Sequence, residues 1–259
     1  MKSKFNKSNL LFSIVFFLSL WELSSLIIDN NKLFPTLNYI AIKSLPSIAI
    51  FAGVPEPSHT QAFLVILTHL SKTIIRIIIG FSIGTFLGFT VGLLIHYFKS
   101  TRNANSIILL FFRSVPLFAL IPLFLHWFGG NEAGIYIYIG FSVFIVIATN
   151  TYESVWNIPS NYAYLAHFSG ASKFQILKSV YLPAIFPEMR GSLRNVIGLL
   201  WAFSLGAEYL SGNSGIGYLV YQSYLYADMG KLIVFLIIYA LCGLISFYLI
   251  NFTLYLFHL

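Results

Sequence analysis

Arg113 and Glu208 both fall inside long apolar runs of a 259-residue chain. A charge in hydrocarbon is costly, so each marks either a polar path or a structural pairing. Arg113 opens Arg113-Ser114-Val115-Pro116, with Pro122 six residues further on. Neither proline has an amide proton to give a helix, so the run kinks or unwinds there. Carbonyls freed at such a break are tolerated in a bilayer where they line a cavity. Arg113, Ser114, Pro116 and Glu208 are therefore the candidates for lining a polar path. The competing readings are that Arg113 snorkels or pairs structurally, and that Glu208 caps a helix end at the interface.

Covalent and metal chemistry find no support. There is no phosphate-binding G-x-x-x-x-G-K-[ST], so the chain is not expected to hydrolyse ATP, and no H-E-x-x-H or G-x-S-x-G occurs. The histidines, at 59, 69, 96, 126, 167 and 258, lack metal-ligand spacing. One cysteine, Cys242, makes neither an intrachain disulfide nor a thiolate zinc site. The expectation is a non-enzyme with no catalytic residue, metal or cofactor.

The elements that position these residues are membrane helices. Hydrophobic residues make up 58% of the chain and charged residues 9%, with a mean hydropathy of +0.83. Typical soluble domains are about 25% charged, and this chain could not cover a soluble surface. Disorder is excluded by the same numbers. The net charge of +7 and pI near 9.4 would suggest nucleic acid in a soluble domain. Here the basic residues punctuate apolar runs and act on membrane orientation instead, with lipid and not nucleic acid as the surroundings.

A span needs about 20 apolar residues. The pattern predicts an all-α polytopic protein with six spans, at 9–28, 72–97, 104–128, 133–152, 188–210 and 232–256, the fifth being the most polar. The run 9–28 follows Lys2, Lys4 and Lys7 but no small-x-small cleavage site, so it reads as an uncleaved first helix. The stretch 29–60 reads as an external loop with a short helix near 38–50. Six spans place both termini on one side. Taking that side as cytoplasmic puts Lys2, Lys4, Lys7, Lys99, Arg102, Lys173, Lys178 and Arg190 inside. It leaves Lys32, Lys43, Lys72, Arg76 and Lys231 outside or at the outer interface, which satisfies the positive-inside rule. Gly80, Gly84, Gly88 and Gly92 fall every fourth residue on span two, a ridge for close helix packing.

The segment 153–187 is too polar to span and too patterned for a slack loop. Ser160 can cap a short helix that Gly170 breaks. Ser172 with Gln175 forms a capping box for a second helix, with Phe174, Leu177 and Tyr181 on one face and Pro183 as the stop. A half-apolar helix–Gly–helix elbow of this kind either lies on a membrane or docks into a partner's groove.

This stretch resembles the cytoplasmic loop of the inner-membrane permease subunits of binding-protein-dependent ABC importers. The family pattern is E-A-A, three residues, G, nine residues, I-x-L-P. Aligned on Gly170, it is met by Ala166, Val180, Leu182 and Pro183, while Tyr164 stands for the glutamate and Leu165 for the first alanine. LWELSSLIIDNNKLFPT (20–36), the glycine-ridged 69–94, RSVPLFALIPLFLHWFGGNE (113–132) and LLWAFSLGAEYLSGNSGIGYLV (199–220) are similar, in collinear order, to the nitrate/sulfonate/taurine branch, with Ser114 where that branch has proline.

The resemblance implies one transmembrane domain over 1–259 in the cell inner membrane. It implies a loop at about 157–187 that docks an ATPase through Tyr164, Leu165, Ala166, Gly170, Ala171, Ser172, Phe174 and Leu177. The implied partners are a second permease subunit, identical or sister, two cytoplasmic ATPase subunits that hold the ATP, and an extracytoplasmic solute-binding protein. The implied solute is a small anion such as nitrate, a sulfonate or taurine, or a thiamine or flavin precursor. An ion-coupled secondary transporter is the alternative, against which stand the absence of an acidic cluster and of repeated halves.

Overall fold

A computed structural model describes residues 7–97, 102–211 and 213–256. Lys2, Lys4 and Lys99 lie outside them. The described residues form helices and no strand. In chain order these are α1 (Lys7–Ile28), an irregular α2 (Leu37–Ala52), α3 (His59–Tyr97), α4 (Arg102–Ser114), α5 (Leu117–Phe128), α6 (Glu132–Asn157), α7 (Ser160–Phe168), α8 (Lys173–Ile176), α9 (Leu182–Ser211), α10 (Ile216–Leu225) and α11 (Met229–Leu256).

Four of these, α1, α3, α6 and α11, are long and apolar enough to cross a membrane, and α4 with α5, bent by 84°, is so only as a pair. The break falls at Pro116, as the sequence predicts. Pro122 instead sits in the first turn of the α-helical part of α5, Ile121–Phe128, which follows a 3₁₀ turn at Leu117–Leu120, and there its missing amide costs little. The expected fifth of six spans is α9, whose Glu188, Arg190, Arg194 and Glu208 keep it below the apolarity of the others. Span two begins earlier than its apolar run. Ser58 and Gln61 bond reciprocally, Ser58 N–H to Gln61 Oε1 at 3.1 Å and Gln61 N–H to Ser58 Oγ at 3.3 Å, and start α3 at His59. Its 39 residues run about 58 Å, well beyond an oily layer of about 30 Å.

The chain forms two compact units, 1–70 with 219–238, and 71–218 with 239–259. In the first, Glu22, the one acidic residue within α1, is used locally: Leu37 N–H donates to its Oε2 at 3.0 Å. Trp21 stacks on Phe34 at 4.2 Å and donates through Nε1 to the Pro35 carbonyl. The rest of α1 is almost wholly uncovered apolar surface. Lys231 lies over the Phe51 ring at 4.5 Å and pairs with Asp228 at 3.3 Å.

The second unit is built around α6, the most buried of the long helices, with a core that includes Phe124, Tyr138, Ile139, Val143, Ile147, Ile185, Val196, Leu200 and Phe203. The glycine ridge of α3 lies directly on it. A Cβ at Gly80 would strike Ile139, one at Gly84 would strike the Gly140 carbonyl and Val143, one at Gly88 would stand 2.8 Å from the Phe144 carbonyl, and one at Gly92 2.7 Å from the Ala148 carbonyl. The four-residue register is thus a close backbone approach along four turns.

Candidate functional site

The elbow is made by two caps. Pro159, not Ser160, holds the N-cap position of α7, because its fixed φ suits a helix start and Ser160 already lies in the first turn. α7 ends in a Schellman motif. Gly170 takes φ +81°, its N–H donates to His167 O at 2.9 Å, and Ala171 N–H donates to Ala166 O at 3.0 Å. Ala166 and Ala171 are therefore the two ends of the bond that closes the turn. Ser172 then caps α8 with the full box predicted: Ser172 N–H to Gln175 Oε1 at 2.7 Å and Gln175 N–H to Ser172 Oγ at 3.3 Å.

Pro183 does not stop the helix. Leu177–Tyr181 widens to a π turn, Leu182 N–H donates to Leu177 O, and Pro183 falls in the first turn of α9. The wider turn absorbs the missing amide, so the backbone stays helical from Lys173 to Ser211. Tyr164 and Leu165 flank Phe168 at helical spacings of four and three, so the three share a face. They are 65%, 64% and 88% exposed, and Phe174 is 71% exposed. Ile176 is buried and Leu177 half-buried, anchoring the other side. Burial pushes the Tyr181 phenol above its ordinary range, and the Tyr164 phenol adds to the shift.

The path candidates separate. Arg113 pairs with Glu153, both side chains about half exposed. Ser114 turns its hydroxyl back to the Leu110 and Phe111 carbonyls at 2.9 and 2.8 Å. Pro116 sits at the bend. Glu208 is fully buried in a different network. Its Oε1 accepts from Arg76 Nη1 at 2.8 Å, and its Oε2 from Thr73 Oγ1 at 3.0 Å, Gly217 N–H at 2.9 Å and the Tyr239 hydroxyl at 3.2 Å. Arg76 also forks onto Glu132, Nε to Oε2 at 2.8 Å and Nη2 to Oε1 at 2.5 Å, and donates to the Ser214 carbonyl and hydroxyl at 2.8 and 2.6 Å.

Every polar atom of the Arg76 and Glu208 head groups has a partner, which is what makes so buried an ion pair tenable. Gly215 and Gly217 admit the Glu208 side chain; a Cβ at Gly217 would lie 2.7 Å from Glu208 Cβ. Sequence reasoning placed Arg76 at the outer interface and Glu132 in a turn. The signal for Arg76 was present, since it stands four residues before Gly80, on the ridge that packs against α6. Among the described residues no three His, Cys, Asp or Glu side chains converge on a site for a metal ion.

Residues 80–257 match the family model described as the inner membrane component of binding-protein-dependent transport systems. A putative ABC transporter permease of Methanocaldococcus jannaschii is 29% identical, over 87% of this chain and 82% of its own length. The putative aliphatic sulfonates transport permease SsuC of Escherichia coli is 32% identical over 68% and 66%. The fold is shared with an inward-facing MetNI methionine ABC transporter, at a TM-score of 0.62 and 20% identity, covering 74% of this chain and 93% of that one. With the family model spanning more than half of its length, the chain belongs to the permease components of binding-protein-dependent ABC transport systems, in the branch that holds the sulfonate and taurine permeases.

Proposed function

We propose that the chain forms the solute pathway of an ATP-driven importer, as one transmembrane domain of six spans with both termini cytoplasmic, α9 being the fifth span. It pairs with a second permease subunit, and a binding protein delivers solute at the outer face. The α7–α8 elbow docks into a groove on a separate ATPase subunit. The observation that carries this reading is the uncovered set Tyr164, Leu165, Phe168 and Phe174, held on a doubly capped, rigid elbow. Aromatic anchors of this kind suit a protein groove. The uninterrupted helix from Lys173 to Ser211 gives the elbow a lever, since it ends beside Glu208 and the Arg76 cluster. Closure of the ATPase dimer would move that lever and switch the spans between inward- and outward-open states.

Ala166, Gly170, Ala171 and Ser172 shape the elbow, and Leu177 seats its base. Arg113, Ser114 and Pro116 border the bent span, where an opened helix can face the path. The solute belongs with those named for its relatives, aliphatic sulfonates, taurine or a formylaminopyrimidine.

Copurification tests the docking. The wild-type permease retains its ATPase, whereas Phe168→Asp with Phe174→Asp loses it while staying in the membrane. Retention by the double variant would overturn the docking face. Proteoliposomes holding the permease and ion gradients but no ATPase should take up no solute, and uptake there would indicate ion coupling instead.

A further inference from the structure

A groove of about 460 Å³ runs between α9 and the 239–247 stretch of α11, within the second unit. Arg194 and Asn195 stand at its polar end, and Trp201, Tyr239 and Phe247 form aromatic walls. The space exists because Gly198 has no side chain: nothing lies within 4 Å of where its Cβ would be. The walls are fixed. Trp201 Nε1 donates to Ser246 Oγ at 3.1 Å, the Trp201 and Tyr239 rings meet edge to face at 5.5 Å, and the Tyr239 hydroxyl is tied to Glu208.

Arg194 is exposed and, among the described residues, its side chain makes no ion pair or hydrogen bond. Within the expected span 188–210 it lies about 9 Å from the inner end and about 24 Å from the outer end, at 1.5 Å per residue. An unpaired guanidinium that far along a membrane helix calls for an anion or water beside it. Its planar fork of donors matches an oxyacid group, and the Asn195 amide adds two more.

We propose that this groove is a solute-contact subsite on the translocation path, taking an organic anion of the sulfonate or carboxylate class. Arg194 and Asn195 hold the anionic group, and the aromatic walls hold the carbon skeleton. The subsite rests on the permease reading above and adds to it the residues that select the solute. A lipid phosphate offers the same oxyacid chemistry, and the phosphatidylglycerol arm of the test below separates it from a solute.

The test uses the full-length permease in phosphatidylcholine nanodiscs, with Trp21, Trp127 and Trp156 changed to Phe so that Trp201 alone reports, and 1-butanesulfonate as probe. Trp201 emission should change saturably with butanesulfonate and not with 1-butanol. Arg194→Gln should raise the half-saturating concentration roughly tenfold or more, as loss of a charge-assisted hydrogen bond does. Arg194→Lys should restore part of the binding, and Gly198→Leu should abolish it by filling the groove. Adding phosphatidylglycerol should leave the midpoint unchanged. An absent wild-type response, an unchanged midpoint in Arg194→Gln, or displacement by phosphatidylglycerol would each overturn the subsite, the last by assigning Arg194 to lipid. ATPase copurification on the same proteins separates the two claims. Retained ATPase without butanesulfonate binding refutes the subsite alone, and ATPase that fails to associate with wild type refutes the permease reading beneath it.

Discussion

Gly170 is the residue on which the elbow turns. Its φ of +81° disfavours any side chain, yet a Cβ there would touch nothing within 4 Å. Gly170→Val therefore strains the backbone by about 1–2 kcal/mol without a clash. We expect uptake to fall sharply while the protein remains inserted. Gly53 makes the matched control, because its φ is +74° and its surroundings are equally open. Gly53→Val carries the same strain away from the elbow and should leave uptake near wild type. The two are compared by ATP-driven uptake at equal membrane abundance. At Arg76, Arg76→Gln leaves Glu208 buried without its cation and should cost about 3–5 kcal/mol, read as a lower melting temperature in detergent. The Gly170 turn was legible because Gly and the following Ser172-x-x-Gln175 box are local signals. Glu208 was visible only as a costly charge; its side-chain partners Tyr239, Arg76 and Thr73 stand 31, 132 and 135 positions away, which no local pattern reports.

Among the elements, the α3–α6 contact was the most legible, since a four-residue glycine period admits one geometry. Gly84→Val would drive a Cβ bearing two methyl groups into the Gly140 carbonyl and Val143. Overpacking of this kind costs about 1–3 kcal/mol or more. Reduced folded yield from detergent extracts is the expected result. Gly191→Val on α9, where nothing lies within 4 Å, loses only the helix-neutral space around it and should extract like wild type. The bend at Pro116 was likewise readable from a missing donor. The passage through Pro183 was not, because a π turn is a register change that depends on the helix continuing beyond it. The start of α3 at His59 was hidden because Thr68, His69, Ser71 and Lys72 separate the short apolar run 62–67 from the longer one beyond it; Ser58 and Gln61 report where the helix begins.

For the whole molecule, composition alone fixed the class, and the order of motifs pointed to the family. The span count was less legible, because α9 carries four formal charges and crosses the bilayer only if its polar face is covered or lines a path. Counting the bent α4–α5 pair as a span places the elbow on the same side as the N-terminus and leaves Ser58 on the other, while α9 sets the side of the C-terminus. The direct measurement of docking is photo-cross-linking in native membranes, with benzophenone maleimide carried at Phe174→Cys or at Ser58→Cys in a Cys242→Ala background. The account predicts a cross-link to the ATPase subunit from position 174, strengthened when ATP closes the ATPase dimer, and none from position 58. Cross-linking from position 58 instead, or labelling of position 174 by an impermeant thiol reagent added outside, would contradict it.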